Sequence, residues 1–243
     1  MSSKDYFELK RFSLRQANSG MKIGTDGVLL GAWATPLSAA VGLRIWDIGA
    51  GTGIVALMMA QRFPQARITA FEIEPGASSD ARSNFGASEW SERISLVEGD
   101  VFEAESELRE TADLIVCNPP FYTEDVASPT ANRQTARHEA GLGIGSLIEF
   151  AARHLSPRGA LCLVGPYSRK AEIDFLCAMN HLAVRKLTEI VTVEGKPAKR
   201  GLWKICRDNI GTAVETDRIV IRDKEGRYTP KYIVLVRDFY LNF

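Results

Sequence analysis

Three histidines and four cysteines in 243 residues leave little material for a metal centre or a disulfide framework. His138, His154 and His181 show no metal-ligand spacing, and Cys117, Cys162, Cys177 and Cys206 form no C-x-x-C pair. Most of these cysteines sit in apolar runs, where a thiol behaves as a small hydrophobe, so a reducing compartment is expected. No apolar run approaches the length of a membrane span, and Met1–Lys10 is polar, without the core of a signal peptide. The expectation is a cytoplasmic protein without membrane or metal. Net charge is missing as well, because 30 Lys and Arg balance 30 Asp and Glu. The molecule as a whole therefore exerts no long-range pull on a polyanion, and nucleic-acid binding would need a local basic face. Repeats, low-complexity tracts and linkers are absent. The length suits one α/β domain, with residues 1–41 as an N-terminal extension and 42–243 as the core.

What is present is a rhythm. Apolar, β-favouring runs occur at Leu43–Ile48, Arg67–Phe71, Ile94–Val97, Asp113–Cys117 and Ala160–Val164, with helical spacing between most of them. Successive βα units of this kind build a parallel sheet covered on both faces. Gly53–Arg62 and Ser146–His154 read as helices; the first stops before Pro64, and Ser156-Pro157-Arg158-Gly159 ends the second. Beyond residue 180, Ala183–Val193 and Leu202–Cys206 alternate like strands and predict an antiparallel hairpin closing the sheet. Arg218–Arg222 is a last strand candidate, followed by a helix with Thr229 as N-cap and Pro230 at its first position.

The first strand runs into Asp47-Ile48-Gly49-Ala50-Gly51-Thr52-Gly53, where glycines let the backbone approach a ligand. A dinucleotide site would need glycine at position 54, where isoleucine stands, and Asp47 suits a cation better than a pyrophosphate. S-adenosylmethionine, with its sulfonium and ammonium, fits. The next strands end at Glu72 and at Gly99-Asp100, acids placed to accept from ribose hydroxyls and from an adenine amino group. Taken singly, each acid could equally cap a helix or stand solvated; three in consecutive βα units make a pattern.

The fourth strand ends in Asn118-Pro119-Pro120-Phe121. Two prolines fix the backbone and remove two N–H donors, leaving rigid carbonyl acceptors. An amine conjugated to a purine is a poor nucleophile. If the Asn118 side-chain oxygen and the Pro119 carbonyl accept its hydrogens, its lone pair can be turned toward a methyl donor, with Phe121 as a stacking face. The plain alternative is a stiff turn. Near the N-terminus, Gly24 and Gly27 read by themselves as a flexible loop entering a helix at Val28–Trp33.

Asp47-x-Gly49-x-Gly51-x-Gly53 with Asn118-Pro-Pro-Phe121 resembles the class I amino-methyltransferases that act on adenine N6, cytosine N4 or protein glutamine. From Gly24-Thr25-Asp26-Gly27 to Phe239-Tyr240-Leu241 the chain is similar, more narrowly, to the bacterial tRNA1(Val) adenine-37 N6-methyltransferase family. The resemblance implies a Rossmann-like α/β fold, with a mostly parallel seven-stranded sheet, an antiparallel C-terminal hairpin and helices on both faces. It implies that Gly49, Gly51 and Gly53 line S-adenosylmethionine, that Glu72 holds its ribose and Asp100 its adenine, and that Thr25 meets its methionine end. Asn118 to Phe121 would hold the target base; Phe121 stands where many relatives have tyrosine.

A substrate such as tRNA would need contacts outside these motifs. The long polar loop Tyr122–Gly145 carries Arg133, Arg137 and His138, which could bind RNA or pair with Glu139 and solvent. Between Arg185 and Arg207 basic residues exceed acidic ones, with Lys196, Lys199 and Arg200 near a hairpin tip. Together with Lys4, Lys10, Arg11 and Arg15 they could form a phosphate-binding rim, or stand solvated; Phe7, Phe12 and Trp203 add aromatic faces. Two other functions stay open. A glutamine-modifying protein methyltransferase poses the same chemistry, although such relatives carry a separate N-terminal helical domain. A catalytically silent RNA-binding protein is the second. The sequence does not speak to oligomeric state.

Overall fold

Along the strands, apolar side chains point alternately to both faces, so the sheet must be covered on each side. Ile45, Leu114 and Val116 belong to one buried cluster; Trp46, Ile48, Ile115 and Cys117 belong to the other. The computed structural model describes residues 5–38, 41–120, 142–207 and 213–243. In chain order its elements are β1 (Tyr6–Glu8), β2 (Ser13–Arg15), α1 (Thr25–Trp33), β3 (Arg44–Ile48), α2 (Ile54–Arg62), β4 (Arg67–Glu72), α3 (Pro75–Gly86) and β5 (Ile94–Glu98). They continue with β6 (Ala112–Cys117), α4 (Ile144–His154), β7 (Leu155–Pro166), α5 (Lys170–Met179), β8 (Leu182–Val193), β9 (Arg200–Arg207), β10 (Glu215–Arg222) and α6 (Pro230–Val236). Helices α1, α2 and α6 supply buried side chains to the first cluster, α4 and α5 to the second.

The main sheet has eight strands among the described residues, in the order β10-β8-β9-β7-β6-β3-β4-β5. This corrects two expectations, the seven-strand count and the hairpin at the sheet's end. β9 inserts between β7 and β8, antiparallel to both, while β10 adds outside β8 in parallel. β8 is long enough to pair on both of its sides, and β10 is a half-polar edge strand whose first residues lack the alternation that marks the others. Because β9 alone runs backwards, the carboxyl ends of β3 to β8 and of β10 share one edge. The tip of the β8–β9 hairpin lies on that edge too.

Ser156-Pro157-Arg158-Gly159 was expected as a turn closing a helix, and instead forms an irregular start to β7, across which the pairing with β6 shifts register. Thr229 does cap α6, accepting from the Tyr232 N–H at 3.3 Å. The N-terminal segment is strapped to α3 by two buried side chains. Asp80 accepts from Asn18 N at 2.7 Å and Ser19 N at 3.0 Å. Asn84 Oδ1 accepts from Arg15 N at 2.7 Å, and its Nδ2 lies 2.9 Å from the carbonyls of both Arg15 and Thr52. The strap thus ties the segment leading into α1 to the glycine turn. No helix among the described residues is long and apolar enough to cross a membrane, and no group of His, Cys, Asp and Glu there could hold a metal ion.

Candidate active site

Register places the motifs in a row. Ile48 pairs with Cys117 on one side and with Phe71 on the other, and Phe71 pairs with Val97. Asn118, Gly49, Glu72 and Gly99-Asp100 therefore leave the sheet at adjacent strand ends in that order. At about 4.8 Å per strand the row is roughly 14 Å long.

The turn between β3 and α2 holds its shape through backbone bonds. Gly49 N and Ala50 N both donate to Phe71 O at 2.9 Å, and Gly51 N donates to Glu72 Oε2 at 2.6 Å. Gly49, Gly51 and Gly53 have φ of +68°, +58° and +85°, the left-handed region that favours glycine. Their surroundings differ. A Cβ at Gly53 would come within 2.3 Å of the Phe85 ring and one at Gly49 within 2.7 Å of Leu142, whereas one at Gly51 meets no atom within 4 Å. Gly51 therefore borders open space, where the other two are packed against side chains. Gly99, at φ +124°, is likewise open.

Asp47 lies beneath this turn, 1% exposed. Its Oδ2 accepts from Ala56 N at 2.9 Å, in the first turn of α2, where the Gly53 cap offers no side chain. In a pyrophosphate-binding fold that helix end attracts the anion; here a carboxylate already answers it. Burial pushes the Asp47 carboxyl up to about 7, and the charge of Glu72 adds to the push. The same two carboxylates help burial hold the Cys117 thiol well above its ordinary value. Glu72 supplies negative charge to the floor of the site, and Asp47 adds to it as pH rises through about 7, a pattern suited to a cationic ligand.

Glu72 is buried, and its carboxylate accepts from Gly51 N and, at 2.8 Å, from Glu74 N. The alternative that it caps a helix is resolved by Glu74, which caps α3 through Gly76 N and Ala77 N at 2.8 and 2.6 Å. Asp100 Oδ1 accepts from Phe102 N at 2.8 Å, a local turn bond that engages one of its two oxygens. Ile73, between the two acids' strand ends, is 60% exposed. The sequence reading passed it over; a large apolar residue directly after the strand-terminal acid was the available signal, since such a side chain offers a flat ring something to lie on.

Asn118 is half-buried and Pro119 buried at the end of β6. A Cβ on Gly27 would lie 3.4 Å from Ile54 Cγ2 and 3.7 Å from Asn118 Nδ2. The first turn of α1 therefore stands against both the glycine-turn helix and the Asn-Pro-Pro corner, with exposed Thr25 beginning that turn. This is a helix rather than the flexible loop that the two glycines alone allowed.

The expected RNA contacts divide. Phe121, Arg133, Arg137, His138 and Lys4 lie outside the described residues. Lys196 and Lys199 are exposed on the β8–β9 tip. Arg200 Nε bonds Asp26 Oδ2 at 2.9 Å, joining β9 to α1, so its charge is engaged in the fold. Lys10 donates to the Arg237 and Phe243 carbonyls, Arg11 pairs with Glu89, and Arg15 lies 3.6 Å from Asp80. Trp203 is fully buried in the core, Phe12 packs edge-on to Trp90 and Phe7 against Tyr240. These three aromatics do structural work, so the N-terminal basic-aromatic rim is largely internal bonding.

The methyltransferase small domain family matches residues 34–186. A tRNA1(Val) (adenine(37)-N6)-methyltransferase of Porphyromonas gingivalis is 41% identical, over 97% of this chain and 95% of its own. The chain belongs to this methyltransferase family. Proteins of the same name from Shewanella amazonensis, 40% identical over 97% of this chain and 98% of theirs, and Yersinia pestis, 37% over 98% and 94%, extend the likeness. Among solved structures, a predicted O-methyltransferase of Agrobacterium tumefaciens matches with TM-score 0.62 at 22% identity, over 88% of this chain and 96% of its own. A precorrin-6y C5,15-methyltransferase of Geobacter metallireducens matches at 0.53 and 17%, over 85% and 95%. These two establish the class I methyltransferase fold.

Proposed function

We propose that this methyltransferase moves the methyl group of S-adenosylmethionine to N6 of an unpaired adenine in tRNA, with adenine 37 of tRNA1(Val), the target in its relatives' names, as the specific site. The observation that supports this reading is the row of strand ends, in which the Asn-Pro-Pro corner lies beside the glycine turn and its acids. Gly51 and Gly99 leave the space that the cofactor needs, and Glu72 matches its charge, joined by Asp47 as it ionises above about pH 7. Glu72 would accept from the ribose hydroxyls, Asp100 from the adenine amino group with Ile73 against the ring, and Thr25 would meet the methionine end. Bound there, S-adenosylmethionine supplies an electrophilic methyl group.

The residues of the chain do the rest. The Asn118 side-chain oxygen and the Pro119 carbonyl accept the two amine hydrogens, drawing the nitrogen out of conjugation and aiming its lone pair along the row. A fixed pair of acceptors stabilises the positive charge that develops on nitrogen, and the proton that the methylated amine then sheds passes to solvent, so no strong base is needed. An unpaired base enters such a site against less unstacking energy than a paired one. The test is to incubate the protein with labelled S-adenosylmethionine and either unmodified tRNA or a release-factor protein, and to digest the products. Label in N6-methyladenosine supports the reading; label in protein glutamine alone overturns it.

A further inference from the structure

At the far end of the same sheet edge, a cavity of about 370 Å³ opens between the carboxyl ends of β8 and β10, the N-terminal hairpin and the last residues of the chain. Its walls include Tyr228, Tyr232, Tyr240 and Phe243, with Arg222 and Thr25. Tyr228 stacks on Tyr232 with ring centres 5.3 Å apart and planes 19° apart, and Phe243 stands edge-on to Tyr228, Tyr232 and Tyr240. The Arg222 guanidinium lies 3.9 Å from the centre of the Tyr228 ring. It donates to Gly226 O and to the Tyr228 hydroxyl, both neutral, at 2.6 Å, and pairs with no carboxylate among the described residues. Lys10 fixes the far wall, bonding through its backbone to Phe239 O and through its ammonium to Phe243 O at 2.6 Å.

Three features define what fits. A guanidinium plane laid over a tyrosine ring suits a planar aromatic ring system, and the Arg222 charge suits a ring carried on a phosphate chain. Glu8 in the lining offers an acceptor for ring N–H groups. Thr25 lines this cavity and also begins the helical turn whose Gly27 faces Asn118, so the cavity and the reacting corner share one short helix. Exposed Lys196 and Lys199 lie on the same edge. We infer that this cavity receives a second unpaired nucleobase of the substrate RNA, close along the strand from the adenine being methylated. It would thereby set which loop presents its adenine to Asn118. The inference rests on the RNA reading of the active site.

The test uses anticodon stem-loop RNAs in which each loop nucleotide other than the target is made abasic in turn, methylated by the wild type and by Tyr228→Ala, Tyr228→Phe and Leu241→Glu. Tyr228 is 38% and Leu241 53% exposed, so these changes spare the core, and Leu241→Glu adds a repelling charge at the rim should Tyr228→Ala fail to fold. Stacking on one aromatic ring predicts that a single abasic position lowers wild-type kcat/KM by about 10-fold or more, through KM. Tyr228→Ala should lower kcat/KM on intact RNA by a similar factor and lose its sensitivity to that position, while Tyr228→Phe stays near wild type. Leu241→Glu should fall likewise, and all variants should bind S-adenosylhomocysteine as the wild type does. The inference is overturned if Tyr228→Ala and Leu241→Glu methylate intact RNA normally, or if they keep full sensitivity at every position. If the wild type methylates no RNA but does methylate a protein amide, the substrate reading has failed, and this proposal falls with it.

Discussion

The two ends of the sheet's carboxyl edge are made of different material. Around β3, β4 and β5 the edge consists of glycines at positive φ, strand-terminal acids and hydrogen bonds of 2.6–2.9 Å from backbone N–H groups, Gly51 to the Glu72 carboxylate and Gly49 to the Phe71 carbonyl. Around β8 and β10 it consists of aromatic rings, an arginine and exposed lysines. The first kind of surface is fixed by short hydrogen bonds and carries carboxyl groups, and on the proposed reading it holds one small cation. The second is aromatic, with Arg222 and Glu8 in its lining and exposed lysines on the same edge, and on the proposed reading it orients a flexible polyanion. The α1 turn, with Thr25 at one end and Gly27 against Asn118, stands between them.

The comparison can be broken most severely at the acceptor corner. Asn118→Ala should lower single-turnover methyl transfer by about 10²–10³-fold, the usual cost of one preorganised acceptor or donor, while calorimetric affinity for the cofactor is largely kept. A parallel loss of cofactor affinity would mean that Asn118 belongs to the binding half instead. Next come two glycines that look alike in sequence. Gly53→Ala forces a Cβ to 2.3 Å from Phe85 at φ +85°, so thermal unfolding should show a loss on the order of 3 kcal/mol. Gly51→Ala meets only backbone strain, about 1–2 kcal/mol, and should instead weaken cofactor binding by roughly 10-fold or more. Equal effects at both sites would contradict the assignment of Gly51 to the ligand side.

A subtler effect concerns Asp47. Its folded carboxyl titrates at about 7 against an ordinary 3.8, so between those values the folded protein holds a proton that the unfolded chain has released. Stability from this group is therefore greatest below about pH 4 and is lost as pH rises to about 7. Asp47→Asn keeps an acceptor for Ala56 N and should flatten that slope in pH-dependent melts. It should also abolish the rise in cofactor affinity through pH 7 expected of the wild type; a variant that keeps both pH dependences would refute this role. The smallest effects belong to the hairpin tip. Lys196→Ala and Lys199→Ala should each reduce the slope of log Kd for tRNA against log salt by about 0.7–0.9. Arg200→Ala should act through α1, because Asp26 holds it.

The half around β3, β4 and β5 was legible because each of its devices is a single residue at a strand end. A glycine turn, Asp47, Glu72, Asp100 and Asn118-Pro-Pro announce themselves within a few positions of an apolar run. Ile73 escaped because an apolar residue beside a strand looks like more core until its exposure is known. The aromatic half was illegible for a different reason: Thr25, Arg222, Tyr228 and Phe243 meet only because β10 pairs in parallel outside β8 and the N-terminal hairpin grips the last residues. The last strand, β10, was legible only from Arg218 onward, since its opening is polar and only the partner strand makes it extended. Trp203 and Arg200 show the converse, residues whose type suggests a surface role but whose neighbours draw them into the fold.

The most direct measurement is a crystal structure of the protein with S-adenosylhomocysteine. The account predicts the ligand laid across the strand ends, with adenine against Ile73 and Asp100, ribose on Glu72, and sulfur beside Asn118. A ligand bound in the reverse direction, or anywhere off that row, would contradict it.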